Sequence, residues 1–359
     1  MLLSDILKVA LGNHSELPHT PSEKEWNELF KLSKTQTLLG ITYKAIEQLP
    51  PHQRPPKQLL LKWIVAAEHI KHLNEVLNIK AVEISQKFYN DGFRNIVLKG
   101  QGVAQYYTTK NLDLYRNPGD IDIWLDGSRK GIISYVRKVL PNSPIFYHHM
   151  DFAKIDGVEI EVHFTPSWMN SYFTNRTLQK LFNSKKAELF NLDFTNTSLL
   201  PTPNLTFDRV YILVHIYRHL FHEGIGLRQL LDYYFVLLQG FTVEEREDTI
   251  QTLRSLKMGK FAGAVMWVLQ DVFGLDDKYL ITAPNEKDGR FLLEEIMIAG
   301  NFGHYDKRIA RSANESNFIY GLRKVKHNFR FFKSYPSEVL WSPIFKLWHF
   351  FWRKRVSKI

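Results

Sequence analysis

Between Asn95 and Phe164 the spacing of apolar residues changes. On either side of this stretch they recur at every third or fourth position, the period of a helix with one buried face. Within it, short segments alternate polar and apolar, the period of a strand. A chain patterned in this way is confined to a small sheet set into a largely helical body, an α+β architecture. Upstream, Thr20 is placed to cap a helix with Pro21 at its first position and Glu23 three residues after the cap. Helical spacing then runs through Trp26, Leu29, Phe30, Leu32, Leu38, Leu39, Tyr43 and Ile46 until Pro51, Pro55 and Pro56 break it. A second long helix is expected from about Gln58 to Tyr89, ended by Asn90-Asp91-Gly92. The helical period returns after Leu205 and holds nearly to the end. The organisation read from this is a helical region over 1–90, an α/β core over 91–200, and a helical region over 201–359 with a basic, aromatic tail.

Charge and residue usage narrow the partners. Lys and Arg number 47 against 37 Asp and Glu, a net charge of +10, which favours polyanions such as nucleotides, RNA or an acidic membrane surface, unless it is spread over solvated helix faces. There is no cysteine, so disulfides, thiolate catalysis and cysteine-ligated zinc or iron–sulfur sites are excluded; a reducing cytoplasm fits. The most apolar stretch, Phe261 to Leu275, is interrupted by Gln270 and Asp271 and is too short to span a bilayer. The segment from Met1 to Gly12 lacks a basic opening and carries Asp5 and Lys8, so it does not read as a signal peptide. The tail mixes Trp341, Phe345, Trp348, Phe350, Phe351 and Trp352 with Arg353, Lys354, Arg355 and Lys358. A terminal helix docking its aromatics into the core is the favoured reading, ahead of contact with a membrane surface.

The most informative stretch is Arg116-Asn-Pro-Gly-Asp120-Ile-Asp122-Ile-Trp-Leu125. As a half-buried strand it puts Asp120 and Asp122 on one face and Ile121, Ile123 and Leu125 on the other. Two adjacent carboxylates repel, and are expected either in open water or around a cation such as Mg²⁺ or Mn²⁺. On that view Asp122→Asn leaves stability equal or slightly higher. Strands at about 146–155 and 158–164 flank Asp156-Gly157, a two-residue hairpin turn. Glu159, Glu161 and His163 share one face of the second. Lys154 falls opposite Glu159 across the turn, which leaves Glu161 as the better third carboxylate and Glu159 as the fallback. Such a trio suits metal-assisted in-line displacement of pyrophosphate. The phosphate-binding end is expected at Lys99-Gly100, where a strand runs into a glycine turn and then a short helix, with Arg116 supplying a second positive group.

These residues resemble a known family. Leu98-Lys99-Gly100, Arg116-x-x-Gly-Asp120-Ile-Asp122-Ile and Ile160-Glu161-Val-His163 are similar to the bacterial "uncharacterised nucleotidyltransferase" family of the DNA polymerase β-like superfamily. His215, His219 and Leu227-Arg228-Gln-Leu-Leu-Asp232 resemble its helical segment, and Leu29 through Ala45 its opening helices; the likeness reaches about Phe235. The resemblance implies transfer of a nucleoside monophosphate from an NTP to an unidentified acceptor (small molecule, RNA or protein). It places Asp120, Asp122 and Glu161 as metal ligands and catalytic carboxylates, with Lys99, Gly100, Gln101 and Arg116 at the nucleotide. His163, His215, His219 and Arg228 are further residues for the cleft. Where the wider superfamily carries Gly-Ser or Gly-Gly, this chain has Gly100-Gln101, which keeps open an alternative: a catalytically silent member that binds nucleotide, RNA or a protein partner.

Three other patterns carry less. His215, His219 and His222 fall on one helix face at a spacing that can bind zinc. Arg228 and Asp232, four apart, read as an intrahelical ion pair. His148 and His149, on adjacent strand positions, are expected to face opposite ways. No Walker A, Gly-x-Ser-x-Gly or Rossmann pattern occurs in a suitable context.

Overall fold

A computed structural model describes residues 1–191, 200–312 and 314–356. Helix α1 (Leu2–Ala10) buries Leu3, Ile6, Leu7 and Val9. Helix α2 (Glu23–Thr35) is capped by Ser22 rather than Thr20: the Ser22 hydroxyl accepts from the Glu25 amide while the Glu25 carboxylate accepts from the Ser22 amide, satisfying two orphan donors reciprocally. The long helical period from Pro21 to Leu49 is two helices, α2 and α3 (Leu39–Gln48), because Thr37 turns left-handed at φ 55°. There the amides of Thr37 and Leu38 bond back to the carbonyls of Lys34 and Ser33, the Schellman ending of a helix. Helix α4 (Lys57–Asn90) has the expected extent.

The α/β segment follows as β1 (Asn95–Val97), α5 (Gln101–Ala104), β2 (Ile121–Leu125), α6 (Arg129–Val139), β3 (His149–Asp151) and β4 (Ile160–His163). Short 3₁₀ turns cover Gln105–Lys110 and Asp113–Tyr115. The four strands form one mixed sheet in the order β1-β2-β4-β3, with β2 and β4 parallel and the two edge strands antiparallel to them. Asp156 and Gly157, both at positive φ, close the hairpin between β3 and β4, and Lys154 pairs with Glu159 across it at 2.5 Å.

The remaining elements are helical: α7 (Tyr172–Leu189), α8 (Leu205–His222), α9 (Leu227–Leu238), α10 (Val243–Ser255), α11 (Gly259–Phe273), α12 (Glu286–Ala299), α13 (Asn317–Asn328) and α14 (Pro336–Val356). The sheet separates two apolar clusters. Ile121, Ile123 and Leu125 of β2 and Val162 of β4 pack with Leu77, Ala81, Ile84 and Phe88 of α4 and Ile132 and Val136 of α6. Trp124, from the other face of β2, joins the larger cluster with Phe182 of α7 and Phe207 and Tyr211 of α8. Strand β2 is therefore buried on both faces, not half-buried, because α7 and α8 cover the side that carries its polar residues. The tail aromatics divide: Phe345 stacks on Trp168 with ring centres 4.0 Å apart, whereas Trp348, Phe350 and Phe351 stay largely exposed. Lys358 lies outside the described residues.

Candidate functional site

Parallel pairing of β2 and β4 sets Asp122 directly beside Glu161. Asp120 lies two residues earlier, on the same side as Asp122. Oxygens of the three carboxylates lie within 4.8 Å of one another. Asp122 is fully buried, and two cations meet it: the Lys99 ammonium at 2.7 Å from Oδ2 and His163 Nε2 at 2.9 Å from Oδ1. Lys99 also reaches Asp120, at 3.6 Å, and His163 reaches Glu161, at 3.4 Å. The aspartate pair is thus accommodated neither by open water nor by metal alone, because Lys99 and His163 compensate it from within the protein.

The charge states follow from this packing. Burial opposes ionisation of Asp122, but Lys99 and the His163 hydrogen bond outweigh it and hold the carboxyl below its usual range. Burial likewise opposes Glu161, and His163, His149 and Lys99 bring it down to about 2. Burial disfavours His163 as a cation, yet its bonds to Asp122 and Glu161 push it up to about 9. Lys99 is raised, the field of the three carboxylates exceeding the cost of its burial. The centre therefore holds ionised Asp122 and Glu161 against two protonated groups at neutral pH.

Gly100 adopts φ 65° at the start of α5, and a Cβ there would come within 3.3 Å of the Asp120 carbonyl. Glycine lets the turn pass this close to the carboxylates. Lys99, Gly100 and Asp120 open into a cleft of about 690 Å³. Its opposite wall is helical, with Ile212 and His215 from α8, Arg228 and Gln229 from α9, and Phe302 beyond them.

Several expected residues have other occupations. Arg116 is buried and binds Asp232 through both arms, Nε to Oδ1 at 2.6 Å and Nη2 to Oδ2 at 2.9 Å, so it edges the cleft without a free fork for phosphate. Tyr107 donates to the same carboxylate at 2.7 Å. Asp232 is consequently not the intrahelical partner of Arg228, whose Nη1 donates to the Asn117 carbonyl at 3.0 Å. Gln101 is buried and donates to Asn78. His219 is held between Arg218 and Glu223, and His222 contacts Asn170 and Trp168, so the three histidines of α8 do not converge as a zinc site. Of these, His215 lines the cleft.

His148 and His149 do not face apart. Their ring centres lie 4.3 Å from each other because β3 begins only at His149, so strict alternation does not extend back to His148. His149 approaches Glu161 at 3.7 Å and, with Glu161 and His163, forms a second group of potential ligand atoms within 4.8 Å. Burial lowers His149 to about 4, leaving it neutral. Neither His149 nor the Arg116–Asp232–Tyr107 tie is marked by spacing in the sequence; both depend on which elements the fold brings together.

The donor set suits a hard divalent cation: three clustered carboxylates, two of them held ionised. No curated protein and no solved structure matches the chain. A family model described as an uncharacterised nucleotidyltransferase matches residues 22–274, extending past Phe235, where the motif resemblance ends, and takes in the sheet, both cleft-facing helices and the carboxylate trio. The chain belongs to this uncharacterised nucleotidyltransferase family.

Proposed function

We propose that the cleft binds an NTP and transfers its nucleoside monophosphate to an acceptor, and that the sheet is of the DNA polymerase β-like type. The observation that carries this reading is the in-register Asp122–Glu161 pair clustered with Asp120, which itself lines the cleft together with Lys99 and Gly100. Asp120, Asp122 and Glu161 would hold Mg²⁺ or Mn²⁺. The ion supplies charge neutralisation at the reacting phosphate when bound. Lys99 is placed to exchange its carboxylate partners for phosphate oxygens, and the Gly100 turn brings backbone close to them. His163, beneath Asp122 and Glu161, orients both carboxylates.

The test is the rise in melting temperature when Mg²⁺ and an NTP are added together, measured on the wild type and on Asp120→Asn. Asp120 is the suitable position because it is partly exposed. A ligand that binds only the folded state raises the melting temperature. A shift in the wild type that is lost in Asp120→Asn supports the reading, and equal shifts in both proteins end it. The second reading, a silent member that binds nucleotide, RNA or a protein partner without chemistry, draws on Lys99 already filling an oxygen of Asp122. It requires an NTP shift that needs no divalent ion and survives Asp120→Asn.

A further inference from the structure

The net charge of the chain is not spread over its surface. Residues 317–359 hold ten Lys and Arg and a single acidic residue, Glu338, so nine of the ten excess positive charges fall there and the rest of the chain is close to neutral. Glu338 is buried, where it accepts bonds from the Asn170 and Ser171 amides. Among the described residues, the exposed surface of α13 and α14 therefore carries no carboxylate. This segment also lies wholly beyond the 22–274 family match.

The same segment displays an apolar stripe. On α14, Leu340, Ile344, Leu347 and Phe351 are each at least half exposed. At about 100° per residue these four fall within about 60° of one another. Ser342, Phe345 and Val356, which face the protein, lie on the opposite side. Lys354 and Arg355 flank the stripe at its C-terminal end, and Trp348 and Phe350 border it. Helix α13 adds Phe318, Ile319 and Leu322, all exposed.

We propose that α14 docks this protein on an anionic lipid surface, with Leu340, Ile344, Leu347 and Phe351 entering the headgroup–acyl boundary and the flanking Lys and Arg meeting lipid phosphates. The charge decides the occupant. A second copy of the chain would bring the same cationic face, and the two would repel. RNA would satisfy the basic groups, but Leu340, Ile344 and Leu347 gain nothing from phosphates or base edges, whereas lipid takes both the aliphatic stripe and the charge. No helix among the described residues is long and apolar enough to cross a membrane, so the contact is with the surface. The family domain would thereby be held at a membrane by a segment outside it.

The experiment is co-sedimentation of the full chain, at 0.15 M salt, with vesicles of phosphatidylcholine alone or with about a third phosphatidylglycerol. The double variant Ile344→Asp/Leu347→Asp is compared with the wild type. Both positions are solvent-exposed, so its melting temperature should match the wild type. Binding to anionic vesicles at least tenfold above neutral ones, lost in the double variant, is the expected result. Three results would overturn the proposal: no enrichment on anionic vesicles, binding unchanged by the double variant, or no vesicle binding alongside tight binding to a mixed-sequence RNA oligonucleotide. If the double variant melts early, Lys354→Glu/Arg355→Glu replaces it, and retention of anionic-vesicle binding by that variant is equally fatal.

Discussion

Replacing Asp122 by Asn removes the partner of two cations at once. The expectation from two adjacent aspartates was relief of repulsion, with stability equal or higher. Lys99 and His163 reverse that sign, since each would be left facing a neutral amide inside the protein. Breaking a buried ion pair from one side costs about 3–5 kcal/mol, so Asp122→Asn should lower the urea midpoint markedly. Asp120→Asn should leave it within about 1 kcal/mol, because its ion pair is partly exposed. Asp208 supplies a pH signature away from the carboxylate centre. Burial pushes its carboxyl up to about 8, against one hydrogen bond from Tyr106. An acid raised on folding is most favourable below its ordinary range near 3.8, and the folded state loses stability as pH climbs from there to about 8. Asp208→Asn should therefore gain stability relative to the wild type across that interval, read from melting temperatures taken at successive pH values, and hold a constant advantage above it. Residues of this kind are invisible in a sequence because their character comes from neighbours far along the chain, as Tyr106 is 102 positions from Asp208.

At the level of elements, periodicity placed α4, β2, the β3–β4 hairpin and the helical regions, since each is a local pattern with its own turn or cap. It failed where one period ran through a break. Apolar spacing continues from α2 into α3, and only the backbone at Thr37 separates them. A β-branched residue in the left-handed region is strained, while Asn adopts it more readily. Thr37→Asn should thus raise stability by about 1 kcal/mol, checked by urea unfolding. The Asp120/Asp122 face and Glu161 were legible because strand alternation is rigid, and the chain alone distinguished Glu161 from Glu159 through the partner Lys154. The same alternation misled for His148 and His149, where it was extended one residue beyond the strand.

Across the whole molecule, the cleft depends on contacts that join distant parts of the chain. Arg116 leads into β2, Asp232 lies on α9, and Tyr107 sits between α5 and β2, yet all three meet at one carboxylate. Asp232→Asn leaves the buried Arg116 without its counter-charge and should cost about 3–5 kcal/mol. It should also weaken any NTP-dependent thermal shift, because the wall that carries Arg228 is then tied to the loop leading into β2 less firmly, with the Arg228–Asn117 bond remaining. The tail was legible in the sequence only as a basic, aromatic end to the C-terminal helical region, and the structure adds which side of α14 is turned outward.

Strands β2 and β4 run parallel as neighbours in the sheet, with α6 and β3 intervening along the chain. A parallel pair cannot close by a tight turn, so the chain must complete a long crossover before Asp122 meets Glu161. Such pairings form late and slowly in folding, after local helices have already appeared. The carboxylate centre is therefore a property of the finished fold and of no earlier species. Divalent ions present during refolding should not accelerate the approach to the native state. If the centre holds Mg²⁺ as proposed, they should only slow its reversal, so that a chevron recorded with Mg²⁺ shifts on its unfolding limb and leaves the folding limb in place.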